Sequence, residues 1–379
     1  MYKSLKIRLY PTKEQEELIW KHIHACRFVW NYMVDIQEIN YENGGKYLNG
    51  FRLNNLLSKI MNDDSYSWLR EVSCSSLQYI CSDVHQAYRK FFNKTAGHPC
   101  FKTKKSRHDS YPVCANRFYF ADRKYVQIQK LGRVRYKTDF CIPCGREHKF
   151  IEPKIVCNCG KWILCVTIEC EKQARELTEC SMGIDLGVKD LAIVELDGEK
   201  IVFPNINKSK KMRKIKEEIK RIKSDISNKY KINNVDNKKV KTKNIIKKEN
   251  KLRKLYAKAR NIRMNYLHQT THSLIEKLPY KVVMEGLDVV DLMKNKYWRE
   301  SISEQCWAEF IRQMKYKCEW NGIEFVQADR FYPSSKTCSC CGNIKKDLSI
   351  TDRVYVCDVC GLTIDRDYNA AINLSKYIA

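Results

Sequence analysis

Two pairs of cysteines near the end of the chain place the strongest constraint on what it can fold into. Cys338 and Cys341 form one CxxC pair, Cys357 and Cys360 form a second, and 15 residues lie between the pairs. Two tight turns at this spacing offer four sulfurs to one tetrahedral ion, which is typical of a structural zinc ribbon. We therefore predict that these four cysteines bind Zn²⁺. Cys340 should lie outside the coordination shell, because a CxxC turn directs only its end sulfurs inward.

The charge of the chain points to a polyanionic partner. Its 379 residues include 70 Lys and Arg against 44 Asp and Glu, for a formal net charge of +26, and 44% of the residues are apolar. A chain of this size and composition can fold into roughly two or three domains with buried cores. Because the positive charge is spread over the whole chain, nucleic acid is a better explanation than a merely solvated basic surface.

The cysteine content indicates a reducing compartment. The 19 cysteines are an odd number in a large chain whose start has no apolar signal core, so reduced thiols, some of them holding metal, fit better than disulfides. The sequence contains no run of roughly 18 apolar residues, which is the length needed to span a membrane. We expect a protein of the prokaryotic cytosol. Cys141, Cys144, Cys157 and Cys159 could form a second zinc site, but ordinary structural thiols fit their strand-and-turn pattern better.

The first half of the sequence predicts a small β-barrel with a helical insert. Residues 2–10 alternate apolar and basic side chains, as a half-buried strand does. A capping box from Thr12 to Gln15 opens a helix, and helical periodicity recurs to about residue 94. Residues 117–180 then have the pattern of short strands, with a hairpin turn at residues 158–160.

Two basic segments are candidate nucleic-acid contacts. Between residues 95 and 112, cations are mixed with aromatic side chains, which suits phosphates and stacked bases, although a plain basic loop would look similar. Residues 207–268 predict two antiparallel helices joined through 228–245, which either line nucleic acid or form an ordinary salt-bridged hairpin. The candidate contacts are Lys102, Lys104, Lys105, Arg107, Lys214, Lys220 and Arg221. The apolar seams of the two helices would be Ile215, Ile219, Ile222 and Ile226, and Leu252, Leu255, Ala259, Ile262 and Tyr266.

Acidic residues at three separated places could form one metal site. Asp185 lies on the first strand of a predicted three-stranded meander, Glu285 ends a short apolar strand, and Asp365 and Asp367 open the last helix. A sheet of three antiparallel strands, with a fourth strand beside the first and a helix across it, would bring these positions together. Such carboxylates could bind two Mg²⁺ ions about 3.5–4 Å apart and promote phosphodiester hydrolysis. The residues alone leave open which of Asp365 and Asp367 takes part.

Sequence strings spread through the chain carry a resemblance to a known family. Two of them, Tyr332 to Cys338 and Asp365 to Ala371, are very specific. The others are Leu9 to Gln15, Cys26 to Tyr32, Phe91 to Asn93, Gly97 to Lys102, Gly183 to Lys189 and Met284 to Leu287. Together they resemble the TnpB family of transposon-associated RNA-guided nucleases, relatives of the compact type V CRISPR effectors. The cysteines around residues 141–170 are not part of this resemblance.

The resemblance implies a multidomain α+β fold. It implies a wedge β-barrel with an inserted helical recognition domain, followed by an RNase H-like (RuvC) α/β nuclease domain with an inserted zinc ribbon. The implied boundaries are 1–11 and 110–180 for the barrel, 12–109 for the recognition domain, 181–330 and 362–379 for the nuclease domain, and 331–361 for the ribbon, which would bind target nucleic acid.

The resemblance also implies an activity, that of an endonuclease which uses a transposon-derived guide RNA to bind and cleave double-stranded DNA beside a short flanking motif. Asp185, Glu285 and Asp367 would be its catalytic, Mg²⁺-binding residues. One alternative is a guide-directed DNA-binding regulator without cleavage, against which the three intact carboxylates argue. The other is an RNA-independent nuclease of the RuvC type, against which the large basic helical insert and the barrel argue.

Overall fold

The chain divides into two compact units, Met1–Glu171 and Lys172–Ala379. The structure is a computed structural model that describes residues 1–104, 109–170, 175–235, 238–349 and 352–378. Within the described residues, no helix combines the length and the apolar character that a membrane crossing needs.

The first unit combines a helical part with a sheet. Its elements, in chain order, are β1 (Tyr2–Tyr10), α1 (Lys13–Glu42), α2 (Gly50–Asn62), a 3₁₀ helix (Asp64–Glu71), α3 (Cys74–Phe92), β2 (Ser110–Pro112), a 3₁₀ turn (Ala115–Arg117), β3 (Phe118–Phe120), β4 (Tyr125–Ile128), β5 (Gly132–Lys137), β6 (Ile151–Asn158) and β7 (Lys161–Glu169).

Local sequence explains where β1 ends and α1 begins. Leu5, Ile7 and Leu9 are buried on one face of β1, as the alternation predicted. Thr12 Oγ1 accepts a hydrogen bond from the backbone N–H of Gln15, and the Gln15 side chain accepts one from the backbone N–H of Thr12. This is the predicted capping box, and it satisfies two N–H groups that the first turn of a helix leaves unpaired.

The seven strands of the first unit form one sheet in the order β2-β6-β7-β1-β5-β4-β3, with antiparallel pairing throughout. If the sheet were flat, its edge strands would lie about 29 Å apart, because neighbouring strands are about 4.8 Å apart. However, β2 ends at Pro112 and β3 begins at Phe118, and a link of this length spans at most about 20 Å. The sheet must therefore curl, which is what a β-barrel requires.

The turn between β6 and β7 confirms the predicted hairpin. Cys159 and Gly160 have φ angles of 51° and 75°. Both lie in the left-handed region, as the two central residues of a type I′ hairpin turn do. Glycine adopts this conformation without steric cost, so the local sequence contains the signal for this turn.

The second unit contains the predicted meander, the basic helical hairpin and the cysteine ribbon. Its elements are β8 (Thr178–Leu186), β9 (Asp190–Leu196), β10 (Glu199–Pro204), a 3₁₀ turn (Ile206–Lys208), α4 (Lys210–Ile232), β11 (Asn234–Val235), β12 (Lys238–Lys239), α5 (Lys243–Ile275), β13 (Pro279–Met284), α6 (Val289–Leu292), α7 (Arg299–Gln305), α8 (Trp307–Asn321), β14 (Glu324–Gln327), β15 (Val354–Val356), β16 (Thr363–Asp365) and α9 (Arg366–Ser375).

A five-stranded sheet in the order β10-β9-β8-β13-β14 organises this unit. β8, β9 and β10 pair as antiparallel neighbours, whereas β13 pairs in parallel with both β8 and β14. α9 packs across β8 and β9. This topology confirms the prediction of three antiparallel strands, a fourth strand beside the first and a helix across them.

Gly183 allows α9 to pack directly on β8. A Cβ atom at this position would lie 2.0 Å from the carbonyl oxygen of Ala371 and 2.4 Å from the amide nitrogen of Ser375. Any side chain would therefore push the helix away from the strand that carries Asp185. Glycine at position 183 thus lets the second half of α9 lie directly against β8.

α4 and α5 form the predicted basic hairpin. Residues 207–268 hold 23 Lys and Arg against five Asp and Glu, and cross-hairpin ion pairs such as Lys251–Glu218 use only a few of these cations. Eight of the nine predicted seam residues pack together between the helices, which confirms the seam. Tyr266 differs, because it packs against the core of the five-stranded sheet.

Candidate active site and zinc ribbon

Strand pairing places Asp185 and Glu285 side by side. Ile184 of β8 and Met284 of β13 are paired in register, and each carboxylate is the next residue along its chain. Because the two strands are parallel and neighbouring strands lie about 4.8 Å apart, both carboxylates lie at the same edge of the sheet. Both side chains are half-buried there.

The first turn of α9 brings a third carboxylate to this edge. Asp367 is the second residue of α9, which begins directly after β16, the last strand of the cysteine ribbon. Its charge acts on the Asp185 carboxyl, as does the charge of Glu285. Three positions that lie far apart in the sequence are thus within electrostatic reach of one another.

Burial and mutual repulsion make these carboxylates costly to ionise. Burial raises the pKa of the Asp185 carboxyl well above its usual range, and the neighbouring charges of Glu285 and Asp367 raise it further. Burial also raises the pKa of Glu285. Within the part of the chain that the structure describes, neither side chain has a hydrogen-bond donor or an ion-pair partner. A bound cation would offset this cost.

Magnesium fits this set of donors. Mg²⁺ prefers hard oxygen ligands and keeps several of its waters. The half-buried carboxylates offer unpartnered oxygens that are still partly open to solvent. Asp185, Glu285 and Asp367 are therefore the residues that could hold the ion.

Asp365 and Asp367 have different surroundings. Asp365 caps α9, since its Oδ1 accepts a hydrogen bond of 2.9 Å from the backbone N–H of Tyr368. Lys200 Nζ also lies 3.6 Å from the Asp365 carboxylate. The Asp367 side chain takes no part in capping, is 18% exposed against 40% for Asp365, and has the larger effect on the Asp185 carboxyl. These differences favour Asp367 as the third carboxylate of the site.

Two arginines that the sequence analysis missed contact Asp367. Arg366 Nη2 lies 3.1 Å from its Oδ1, and Arg353 Nη1 lies 3.6 Å from its Oδ2. Arg366 could have been noticed because it stands between the two aspartates. Nothing in the sequence near Arg353 indicates its contact with Asp367. Arg353 lies near Asp367 because the ribbon folds back on the start of α9, where the backbone N–H of Arg366 donates a hydrogen bond of 2.9 Å to the Arg353 carbonyl.

The four predicted cysteines converge on one point. The Sγ atoms of Cys338, Cys341, Cys357 and Cys360 all lie within 4.8 Å of one another, and the pairs Cys338–Cys360 and Cys341–Cys357 are each separated by 3.6 Å. Four thiolates about 2.3 Å from one tetrahedral zinc ion would lie about 3.8 Å apart. The cluster therefore has the right size and chemistry for a structural zinc ion. Cys340 is exposed and is not a member of this group.

Both CxxC pairs form the same tight turn. The N–H of Gly342 donates to the Cys338 carbonyl, and the N–H of Gly361 donates to the Cys357 carbonyl. Both glycines have positive φ angles, 77° and 72°, which glycine adopts most easily. The backbone N–H groups of Cys360 and Val359 lower the pKa of the Cys357 thiol, which favours the thiolate form that binds zinc.

Lys102 occupies a different environment from the one expected of a phosphate contact. It is half-buried, its Nζ lies 3.4 Å from the centre of the Trp30 ring, and its backbone is hydrogen-bonded in both directions to the side chain of Asn31. Burial lowers the pKa of its ammonium group to about 8. These contacts are those of a cation that helps hold the first unit together.

The other candidate nucleic-acid contacts are surface residues where the structure describes them. Those that are exposed are Lys104, Lys214, Lys220 and Arg221. The remaining two, Lys105 and Arg107, lie outside the described residues.

Three family models match parts of the chain. Residues 1–46 match a family described as "Helix-turn-helix domain", residues 164–296 one described as "Probable transposase" (OrfB_IS605), and residues 307–374 one described as "Cas12f1-like, TNB domain". The last range contains the four converging cysteines and most of α9. In the present structure, residues 1–46 form the strand β1 and the long helix α1.

Curated relatives match nearly the whole chain. A Streptomyces pristinaespiralis protein provisionally named an RNA-guided DNA endonuclease is 26% identical over 98% of this chain and 88% of its own length. The Escherichia coli K12 protein InsQ, with the same provisional name, is 28% identical over 98% of this chain and 91% of its own length. A TnpB-like protein of Acanthamoeba polyphaga mimivirus is 25% identical over 98% of this chain and 72% of its own length.

A solved structure has a similar fold. The Cas12f1 chain in a cryo-EM structure of a Cas12f1–sgRNA–target DNA complex superposes with a TM-score of 0.61 at 13% identity, covering 99% of this chain and 98% of that chain. The fold is therefore that of a mixed α+β multidomain protein of the Cas12f1 type. The family matches and the relatives that span nearly the whole chain make this protein similar to members of the TnpB/OrfB family.

Proposed function

We propose that this protein is an RNA-guided DNA endonuclease, which uses a transposon-derived guide RNA to bind double-stranded DNA and cleaves it beside a short flanking motif. The observation that carries this proposal is the half-buried carboxylate pair Asp185 and Glu285, set side by side on parallel strands without protein partners and joined by Asp367. The names of the full-length relatives support the guide RNA and the DNA substrate.

Each part of the chain would have its own role in this function. The curled seven-stranded sheet would be the wedge barrel, and α1 to α3 would be the recognition domain. The five-stranded sheet with α9 would be the RNase H-like (RuvC) nuclease domain, and the cysteine ribbon would bind target nucleic acid. Zinc would stabilise the ribbon, because binding of a structural zinc ion contributes directly to folding.

In the proposed mechanism, Asp185, Glu285 and Asp367 would hold Mg²⁺. Two such ions, when bound, stabilise charge on the attacking and leaving oxygens of the phosphodiester. The ends of β8 and β13 and the first turn of α9 hold the carboxylates in position before the substrate arrives, so that little reorganisation is needed. Arg353 and Arg366 place positive charge beside Asp367, where it balances the charges of the carboxylates and of the bound phosphate.

Recognition of the target would be separate from this chemistry. Pairing between guide RNA and one DNA strand would supply sequence specificity, while the exposed cations of the α4–α5 hairpin would contact phosphates without reading sequence. One carboxylate site would cut the two DNA strands in turn. Two other functions remain as alternatives, namely a guide-directed DNA-binding regulator and an RNA-independent nuclease of the RuvC type.

Sequencing of copurified RNA, followed by cleavage assays, tests the proposal. The protein with its RNA and Mg²⁺ should cut a duplex that matches the guide. Asp185→Asn and Glu285→Gln keep the side-chain shapes but remove the charge, so each should abolish cleavage and leave binding of the duplex nearly unchanged. Cutting at the wild-type rate by either variant contradicts the catalytic assignment.

The same experiment separates the alternatives. Cleavage that survives complete removal of RNA by ribonuclease would favour the RNA-independent nuclease. Guide-dependent binding by the wild-type protein without any cleavage would favour the regulator. Loss of both binding and cleavage after ribonuclease treatment supports the RNA-guided endonuclease.

A further inference from the structure

Residues 286–305, which we call the border segment, are attached at both ends beside the strands that carry Asp185 and Glu285. The segment begins directly after Glu285. At its other end, Gln305 Nε2 donates hydrogen bonds to the carbonyl oxygens of Gly187 and Val188, at 3.0 and 3.3 Å. These carbonyls follow directly after Leu186, the last residue of β8, the strand that carries Asp185. Both ends of the border segment are therefore attached beside the strands that carry the two carboxylates.

Specific contacts fix the path of the border segment. Arg330 Nη2 lies 2.7 Å from the carboxylate of Asp291, and Arg330 Nη1 lies 3.5 Å from that of Asp288. The Arg299 Nε donates to the carbonyl of Met293 at 2.9 Å. These contacts neutralise two acidic residues of the segment and hold its central turn in place.

The central turn of the border segment exposes two aromatic rings among cations. Tyr297 is 92% exposed and Trp298 is 48% exposed, and Lys294, Lys296 and Arg299 beside them are exposed as well. In the described part of the chain, neither ring is in contact with another aromatic ring. Two adjacent exposed rings form a flat apolar surface that a stacked ligand can cover.

We propose that the border segment binds single-stranded DNA, with unpaired bases stacked on Tyr297 and Trp298 and phosphates beside Lys296. Aromatic rings interleaved with cations are the chemistry that binds single strands without sequence preference, since every base has a flat face once it is unpaired. A duplex does not present those faces. This inference rests on the proposed function, in which the strand to be cut reaches the carboxylates unpaired.

Photo-crosslinking tests the inference directly. A single strand of about 12 thymidines that carries 5-iodouracil would be irradiated with the purified protein in Ca²⁺ instead of Mg²⁺, and the modified peptides would be mapped by mass spectrometry. We expect adducts on Tyr297 or Trp298. Tyr297→Ala and Trp298→Ala should each reduce the yield about five-fold or more, whereas Trp298→Phe should retain most of it, because phenylalanine still stacks.

The control variant removes an aromatic ring elsewhere. Phe51→Ala removes a ring that is 72% exposed in the first unit and should leave the yield at the border segment unchanged. Adducts that map only to other parts of the chain would overturn the inference. So would a uridine RNA of equal length that displaces the DNA from this segment, since the surface would then be an RNA contact.

The outcome does not depend on whether the protein cleaves DNA. Glu285→Gln should crosslink as the wild-type protein does, even though the proposed function predicts that it cannot cut. In the active complex, Tyr297→Ala should slow cleavage of a guide-matched duplex and leave its binding unchanged. Crosslinking at the border segment in a protein that never cuts would refute the nuclease and keep the single-strand site. Cleavage with no such adducts would keep the nuclease and refute the site.

Discussion

At the scale of single residues, Asp365 and Asp367 show how neighbouring identical side chains acquire different tasks. Asp365 is the last residue of β16 and the N-cap of α9. Its carboxylate accepts a hydrogen bond from the backbone N–H of Tyr368. Asp367 lies in the first turn of α9, and its charge raises the pKa of the Asp185 carboxyl more than the charge of Asp365 does. The sequence alone left both aspartates as candidates for the third carboxylate of the site. The capping geometry distinguishes them, because only Asp365 caps α9.

The first prediction uses this difference. Asp367→Asn should abolish cleavage, because it removes a charged ligand from the site. Asp365→Ala should lower the stability of α9 by about 1 kcal/mol through loss of the cap and reduce cleavage only partly. Cleavage rates and thermal unfolding of both variants would be measured on the same preparation. An active Asp367→Asn together with an inactive Asp365→Ala would reverse the choice within the pair.

Because the carboxylates are crowded together, the stability of the folded protein should depend on pH. A carboxyl whose pKa is raised in the folded protein favours its protonated form, so its contribution to stability is present at low pH and is lost as pH rises through the folded pKa. The pKa of Asp185 is raised in this way by burial and by Glu285 and Asp367. In Mg²⁺-free buffer at pH 8, Asp185→Asn should therefore have a Tm higher than that of the wild type by about 2 °C or more.

Melting curves at pH 5 and pH 8 check this second prediction. The difference in Tm between Asp185→Asn and the wild type should shrink at the lower pH, where the wild-type carboxyl regains its proton, and it should also shrink when Mg²⁺ is added at pH 8. A variant that is less stable than the wild type in Mg²⁺-free buffer at pH 8 would show that repulsion does not dominate this site.

At the scale of elements, the contact between α9 and β8 depends on the absence of one side chain. Gly183→Ala would place a Cβ atom 2.0 Å from the backbone of α9, and backbone cannot move aside as the end of a flexible side chain can. We expect a decrease of at least about 2 kcal/mol in the free energy of unfolding, and loss of cleavage as Asp367 moves away from Asp185.

Gly97→Ala is the matched control for this third prediction, because no heavy atom lies within 4 Å of its added Cβ. Its unfolding free energy, measured by chemical denaturation, should stay within about 0.5 kcal/mol of the wild-type value. Equal stability of Gly183→Ala and the wild type would mean that α9 does not need this close approach.

The cysteine ribbon supports the fourth prediction. Purified protein should contain zinc, and Cys360→Ser should lose that zinc and destabilise the ribbon, since zinc binding and folding are coupled in such small elements. Cys340→Ser makes the same chemical change directly beside the ligand Cys341 and should keep the metal. Elemental analysis of both proteins distinguishes these outcomes, and full zinc retention by Cys360→Ser would refute the proposed ligand set.

At the scale of the whole molecule, the charge of +26 is distributed unevenly. The α4–α5 hairpin region, residues 207–268, holds 23 of the 70 Lys and Arg residues and five of the 44 acidic residues. Its apolar seam packs between the two helices, so most of its cations remain on the outer faces. This distribution makes the hairpin a strong candidate for contact with the phosphates of RNA.

The fifth prediction follows from counterion release. Changing Lys214, Lys220 and Arg221 to Glu should weaken guide RNA binding and lower the steepness of its salt dependence by about 0.7 for each phosphate that the protein no longer neutralises. Changing the exposed residues Lys13, Lys46 and Lys59 of the first unit to Glu makes the same change in net charge and should have a smaller effect. Binding would be titrated at several salt concentrations, and equal effects of the two triple variants would argue against a specific role for α4.

Features that depend on neighbouring residues were predictable from the sequence. The capping box at Thr12 and Gln15, the turn at Cys159 and Gly160, and the spacing of the ribbon cysteines each involve a few consecutive residues or a short repeat. The hairpin seam follows from helical periodicity in the same way. In these cases the local backbone preference and the final structure agree, so the prediction needs no knowledge of the rest of the chain.

Features that depend on distant segments were decided only by the tertiary structure. The sequence by itself determined that carboxylates stand at positions 185, 285 and 367 and that four cysteines can share one ion. It did not determine that Ile184 pairs with Met284, that Arg353 reaches Asp367, or that Lys102 lies over Trp30 rather than in solvent. The physical reason is that strand register, helix packing and burial arise from contacts between segments far apart along the chain, and no local pattern encodes which of many compatible contacts forms.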